Sequence, residues 1–181
     1  VTVILLVSED DPAIVGSLES LQRFQKIVVL DSSGIDDIGN TAKQHGAEHV
    51  SFTWDGKSSR KRAWYLDNHA IETDWVLFLD PEEVINDAFC DELQHAVDSG
   101  KYVGFWLTIH NRFMGKWLRH DCSASQLSLF RHDAGQYETL EDASWSNCDD
   151  EIHQQPVLDG PIGTIQTPIT HREPRGIDSY L

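Results

Sequence analysis

Paired cysteines, positive charge and long apolar runs are what this sequence has least of, and each shortage narrows what it can be. Its three cysteines, Cys90, Cys122 and Cys148, are odd in number, widely separated and form no CxxC pair. Neither a disulfide framework nor a zinc site is indicated, and a reducing cytoplasm is the natural setting. Lys and Arg number 14 against 30 Asp and Glu, a formal net charge of −16. So negative a chain repels a phosphate backbone, which excludes general nucleic-acid binding. It also disfavours broad electrostatic landing on anionic lipid, although a local basic patch allows peripheral membrane contact. No apolar run approaches the roughly 18–20 residues of a spanning helix. Val1 to Val7 is apolar but short, has no basic lead and runs into acidic residues, unlike a signal peptide. Linkers, internal repeats and low-complexity stretches are not seen, nor is a Gly- and Arg-rich phosphate loop after the first apolar run, as a nucleotidyltransferase would need. The sequence starts directly on a strand-like run and stops without a tail at Leu181, so we expect a domain of a longer chain.

What remains, 181 residues, suits one α/β domain with a substantial core. Val1–Val7 is a β-branched apolar run, as in a strand buried on both faces. A helix marked by Leu18, Leu21 and Phe24 follows the turn Ser8–Pro12. Strands are predicted at Lys26–Asp31, Ala47–Thr53 and Asp74–Asp80, and helices at Asp36–His45, stopped by Gly46, and Arg60–Ile71. This alternation predicts βαβ units on a parallel sheet, whose ligands sit beyond the carboxyl ends of the strands. Asp31, Asp80 and the Ser8–Asp10 turn are all placed there, which points to a nucleotide or other phosphorylated ligand. After residue 100 the pattern loosens, with strands at Tyr102–Ile109, Leu127–Arg131 and Gly160–Ile169 between irregular stretches rich in Trp, His, Asp and Gly. We expect one domain with a nucleotide-binding half (1–100) and an acceptor-binding half (101–181).

Five segments carry a family resemblance. Asp74-Trp-Val-Leu-Phe-Leu-Asp-Pro-Glu-Glu83 is similar to the D/E-W-V-L-F-L-D-A-D-E of family 2 glycosyltransferases. Arg60-Lys-Arg-Ala-Trp-Tyr-Leu-Asp-Asn68 resembles the K-K-R-N-W-A-L-D-N of one branch of that family. His110–His120 resembles R-x-x-F-x-G-K-W-I-R-H, and Ser125–His132 resembles x-Q-L-R-L-F-R-H. Asp149-Asp-Glu-Ile-His-Gln-Gln155, then Leu158-Asp-Gly-Pro-Ile-Gly163 and His171, is similar to D-N-E-V-H-E-H, L-D-G-P-V-G and a later His.

The resemblance implies a GT-A (Rossmann-like) fold, a mostly parallel central sheet with helices on both faces and a less regular acceptor side. It implies transfer of a sugar, with inversion, from a nucleotide diphosphate sugar to a cell-surface polysaccharide, lipopolysaccharide or lipid-linked acceptor. It also implies a divalent metal, Mg²⁺ or Mn²⁺, because oxygen ligands must hold a cation against a diphosphate leaving group. Asp80 and Glu82 stand at the family's D-x-D; an acid at Asp80 could instead cap a helix. Asp31 matches an acid that reads the base or ribose, or else serves a turn. Ser8, Glu9 and Arg62 join the nucleotide-sugar contacts, and His171 the metal. Lys116, Trp117, Arg119, Arg131 and His153 are candidates for the diphosphate or acceptor, with Trp117 offering a stacking face. The general base falls on Glu151 or Asp150, with solvated acidic loop as the alternative.

The pattern is broken at Val7, Glu9, Ile35, Ala63, Glu82, Ser128 and Gln154. Glu82 is one methylene longer than the family's Asp, a shift of ~1 Å. Gln154 replaces a Glu, and an amide cannot be a general base. These breaks keep a second reading open, a glycosyltransferase-like binding module with weak or lost catalysis.

Overall fold

The computed structural model describes residues 1–9, 12–53, 61–113, 116–117, 124–137 and 155–172, with backbone alone at 111–113, 116–117 and 124. One sheet runs in the order β3-β2-β1-β4-β8-β6-β11-β5, and β7 pairs with β6 off that path. β1 (Thr2–Val7), β2 (Lys26–Asp31), β3 (Glu48–Ser51) and β4 (Trp75–Leu79) are mutually parallel. β8 (Ala124–Arg131) runs antiparallel to β4 and to β6 (Gly104–Phe113). β11 (Ile162–Arg172) is parallel to β6, while β5 (Glu83–Val84) and β7 (Lys116–Trp117) pair antiparallel with β11 and β6. β9 (Gly135–Tyr137) and β10 (Pro156–Leu158) form a separate ribbon.

The strands alternate their burden between two faces, as a period of two requires. Val3, Leu5 and Val7 of β1 face a core built with α1 (Ala13–Ser20), α2 (Asp36–Gln44) and α4 (Asp87–Asp98). Ile4 and Leu6 face the other core, with α3 (Lys61–Asn68), Phe130, Tyr137 and Leu158. Helices therefore cover both faces, as expected, and both cores are aliphatic and aromatic with fully buried members. Leu158 fits because two glycines face it: a Cβ on Gly104 or Gly135 would lie 2.2 Å or 2.3 Å from its methyls.

Local chemistry sets the helix ends. α2 carries Asp36 and Asp37 in its first turn and Lys43 in its last, complementing the helix dipole. Gly46, at φ +74°, takes the left-handed conformation that ends it. α4 was not expected from the sequence, yet Asn86 Oδ1 accepts from the Phe89 N–H at 2.9 Å and Phe89, Cys90 and Leu93 are buried on one stripe.

Candidate functional site

Parallel pairing brings the carboxyl ends of β1, β2 and β4 to one edge. Val7 stands opposite Asp31, and Leu5 opposite Leu79, so Ser8, Asp31 and Asp80 leave the sheet together. β6 has the same sense and extends that edge through His110–Phe113, with β7 folded back on its end. β11 lies beside β6 and delivers His171 there, in register with Glu83 of β5. The Arg172 N–H donates to the Glu82 carbonyl at 2.9 Å, tying the strand to the acidic turn.

Asp31 is buried, 3% exposed. Its Oδ1 accepts from the Ser33 amide at 2.7 Å and the Ser33 hydroxyl at 2.6 Å, and its Oδ2 faces His49 Nε2 at 3.0 Å. Burial pushes the carboxyl up, but the bonds from Ser33 and His49 outweigh it and hold the group below its ordinary range. Beside it opens a groove of about 250 Å³ between α2 and β3, touched by Asp31, Ile35, Asn40, His49 and Ser51.

Two cations stand behind this edge. Lys61 is 2% exposed, and its Nζ donates to the Val7 carbonyl at 3.1 Å and Ser8 Oγ at 3.2 Å. Arg62, also buried, holds a guanidinium nitrogen 3.7 Å from an Asp80 carboxylate oxygen. Arg62 was among the expected site residues and Lys61 was not. The only available hint was its place in the basic run Arg60-Lys61-Arg62 of an acidic chain.

Glu83, also missed, is 2% exposed and its Oε2 accepts from the Asp80 N–H at 2.9 Å. Burial, reinforced by the Asp80 charge, drives its carboxyl well above the usual carboxylate range. The turn that presents Asp80 and Glu82 is clamped from α1. Ser17, fully buried, shares its hydroxyl between the Pro81 and Glu83 carbonyls, and Ser20 Oγ accepts from the Ile85 N–H at 3.4 Å.

Of the expected site residues, Ser8, Glu9, Asp31, Arg62, Asp80, Glu82 and His171 come to this edge or into the segments leaving it. Arg131 does not. It pairs with Trp75 at the amino end of β4 because β8 runs antiparallel, and it is salt-bridged to Asp133 at 2.8 Å. The length of β4 separates it from Asp80, roughly 16 Å at 3.3 Å per residue. Of the expectation that Arg131 contacts the diphosphate or the acceptor, the diphosphate part is corrected, since Asp80 lies at the other end of β4. Lys116 and Trp117 are placed by backbone at the near edge. Arg119, Asp150, Glu151, His153 and Gln154 lie outside the described residues.

Asp80 and Glu82 offer hard oxygen donors, with His171 nearby in register. Among the described residues no three such side chains stand together as a complete cation site. Two carboxylates are the donor chemistry of a Mg²⁺ or Mn²⁺ ion that takes its remaining ligands from phosphate oxygens and water. No helix among the described residues is long and apolar enough to cross a membrane.

No family model and no curated protein matches this sequence. Solved structures do. S. aureus TarS 1-349 in complex with UDP-GlcNAc is 14% identical, matches over 97% of this chain and 60% of its own, and gives a TM-score of 0.60. Glucosyl-3-phosphoglycerate synthase from Mycobacterium tuberculosis, in complex with Mn²⁺, UDP and phosphoglyceric acid, is 14% identical over 99% of this chain and 73% of its own, at 0.52. A putative glucose-1-phosphate thymidylyltransferase from Bacillus anthracis is 11% identical over 73% of this chain and 72% of its own, at 0.50. The chain spans less than two thirds of the TarS chains it matches. These likenesses show the fold: a GT-A, Rossmann-like α/β arrangement, shared by glycosyl- and nucleotidyltransferases.

Proposed function

We propose that this chain is an inverting glycosyltransferase that moves a sugar from a nucleotide diphosphate sugar to a saccharide or lipid-linked acceptor, in cell-envelope glycan synthesis. It would work in the cytoplasm, at the inner face of the cytoplasmic membrane. The observation that carries the reading is the meeting of Asp31, Asp80 and His171 at one sheet edge with Lys61 and Arg62 behind them. Support comes from the same fold holding UDP-GlcNAc in TarS, and UDP with Mn²⁺ in the synthase. A nucleotidyltransferase is disfavoured by the turn after β1, where Ser8-Glu-Asp-Asp-Pro12 supplies no Gly- or Arg-rich cradle.

In this reading Asp31 accepts from the base or ribose, joined by Ser8 and Glu9. Lys61 fixes the β1–α1 turn by holding Val7 and Ser8. Arg62 sets a positive charge against Asp80. Asp80 and Glu82 would hold Mg²⁺ or Mn²⁺, with His171 beside them on β11; when bound the ion neutralises charge on the departing diphosphate. Glu151 or Asp150 takes the acceptor hydroxyl's proton as that oxygen attacks the anomeric carbon from the face opposite the departing phosphate. Lys116, Trp117, Arg119 and His153 line the acceptor and diphosphate side.

Gln154 favours a second reading, a catalytically weak binding module, since an amide stands where the family has Glu. A thermal-shift series with UDP, with and without Mn²⁺, tests the first step of both. Ligand at 100 times its Kd stabilises by about 2.7 kcal/mol. For a chain of this size that is a rise of roughly 5–11 °C. Asp80→Asn should abolish the Mn²⁺-dependent part. No shift with any nucleoside diphosphate refutes the nucleotide site. A shift without UDP release from UDP-sugars, given acceptor, selects the binding module.

A further inference from the structure

We infer that His49 is a positioning residue for nucleoside recognition, holding the Asp31 carboxylate so that one acceptor site is turned to a ligand in the groove between α2 and β3. This rests on the reading of Asp31 as the nucleoside contact. His49 lies on β3 opposite Val29, so its ring can reach two residues along β2, on the same face, to Asp31. A carboxylate has about four lone-pair sites. Three are occupied: Oδ1 by the amide and hydroxyl of Ser33, and one side of Oδ2 by His49. The fourth, on Oδ2, is the one left for a ligand N–H or O–H, and the groove of about 250 Å³ adjoins it.

Asp31 is held ionised and can only accept, so Nε2 of His49 must carry the proton. Without that bond Oδ2 would have a second vacant site, and the carboxylate could rotate about its own side-chain torsion. A second feature of the fold serves the same contact. The ring backs onto Gly39 of α2, where a Cβ would lie 3.1 Å from Nδ1 and 3.3 Å from Cε1. A helix interior ordinarily favours Ala over Gly. Glycine at 39 gives the imidazole room to sit against the helix and still reach Asp31.

The test is calorimetric binding of UDP and of UMP, with and without Mn²⁺, to the parent, His49→Leu, His49→Gln and Gly39→Ala. Loss of one oriented hydrogen bond should weaken His49→Leu by about five- to tenfold. The same factor should appear for UDP and UMP and be indifferent to Mn²⁺, because the contact is with the nucleoside. His49→Gln, whose amide nitrogen reaches the place of Nε2, should recover most of the affinity. Gly39→Ala should weaken both nucleotides by about twofold or more without lowering Tm, since it displaces the ring while improving the helix. A loss confined to the Mn²⁺-dependent part of UDP binding overturns the inference. So does a Gln variant no tighter than Leu at equal Tm, or a Leu variant equal to the parent. A parent that binds neither nucleotide removes this inference and the proposed function together, whereas an unaffected His49→Leu with a binding parent removes this one alone.

Discussion

Glu92 offers a stability test that needs no ligand. It projects from α4 and receives the Gln166 N–H on Oε1 at 2.7 Å and the Thr167 N–H and hydroxyl on Oε2 at 2.8 Å and 2.6 Å. These amides lie where the register of β11 against β6 shifts between Ile165 and Ile169, so the ladder does not pair them regularly. Glu92→Gln has one neutral acceptor oxygen where the carboxylate has two charged ones, so one of the two backbone N–H groups loses its acceptor and the other keeps only an uncharged one. A hydrogen bond to a charged group contributes about 1.5–3 kcal/mol, and the site is only partly buried, so about 1.5–2 kcal/mol is expected. For a chain of this length that lowers Tm by roughly 3–8 °C. The dependence on pH has a definite sign. Burial pushes the Glu92 carboxyl up, but its bonds from Thr167 and Gln166 hold it below the ordinary 4.5. A depressed folded value means the stabilisation is present above the unfolded value and lost as pH falls through the folded one. Circular-dichroism melts of parent and variant at pH 7 and pH 3 check this. A difference under about 1 °C at pH 7, or one undiminished at pH 3, refutes the account.

Asn86→Ala removes the cap on α4 and should cost about 1 kcal/mol, read from urea unfolding, with Asn86→Asp near neutral. Gly104→Ala drives a Cβ into Leu158 and should destabilise by about 1–3 kcal/mol. In a Leu158→Ala background that cost should shrink by about 1 kcal/mol, which a double-mutant cycle measures. If position 154 is the base site, Gln154→Glu raises the rate of nucleoside diphosphate release by up to about 10²–10⁴-fold and Glu151→Gln changes little. If Glu151 is the base, Glu151→Gln removes activity and Gln154→Glu is neutral. An active parent whose rate neither change alters would refute placing the base in this segment.

The parallel half of the sheet was legible because its strands are dense runs of buried aliphatics closed by polar turns. β2 was read to both its limits, and β1 and β4 to within a residue at each end. α4 was not, because its three buried residues are spread through an acidic stretch whose polar positions dominate. Strand sense is not written in composition, and this is what misplaced Arg131: reversing β8 sends its last residue to the far edge. Asp31 and Asp80 were read onto one edge correctly, since parallel strands that end on acids leave no other arrangement. Lys61, Glu83 and His49 were missed for a common reason. Their importance comes from burial and from neighbours distant in sequence, as with His49 and Asp31, which no local pattern records.

The clamp on the turn that presents Asp80 and Glu82 has a consequence for affinity. Ser17 and Ser20 hold it from α1, the Arg172 amide holds it from β11, and Glu83 closes it onto the Asp80 amide. Ordering a rotamer-rich side chain on binding costs about 0.5–1.5 kcal/mol, and ordering a loop backbone costs more. A turn already fixed from two elements is spared the backbone part of that entropy loss. Its backbone then meets a ligand in the conformation it holds without one, so differences in affinity between ligands should arise from the contacts and side-chain ordering and not from rearrangement of this turn.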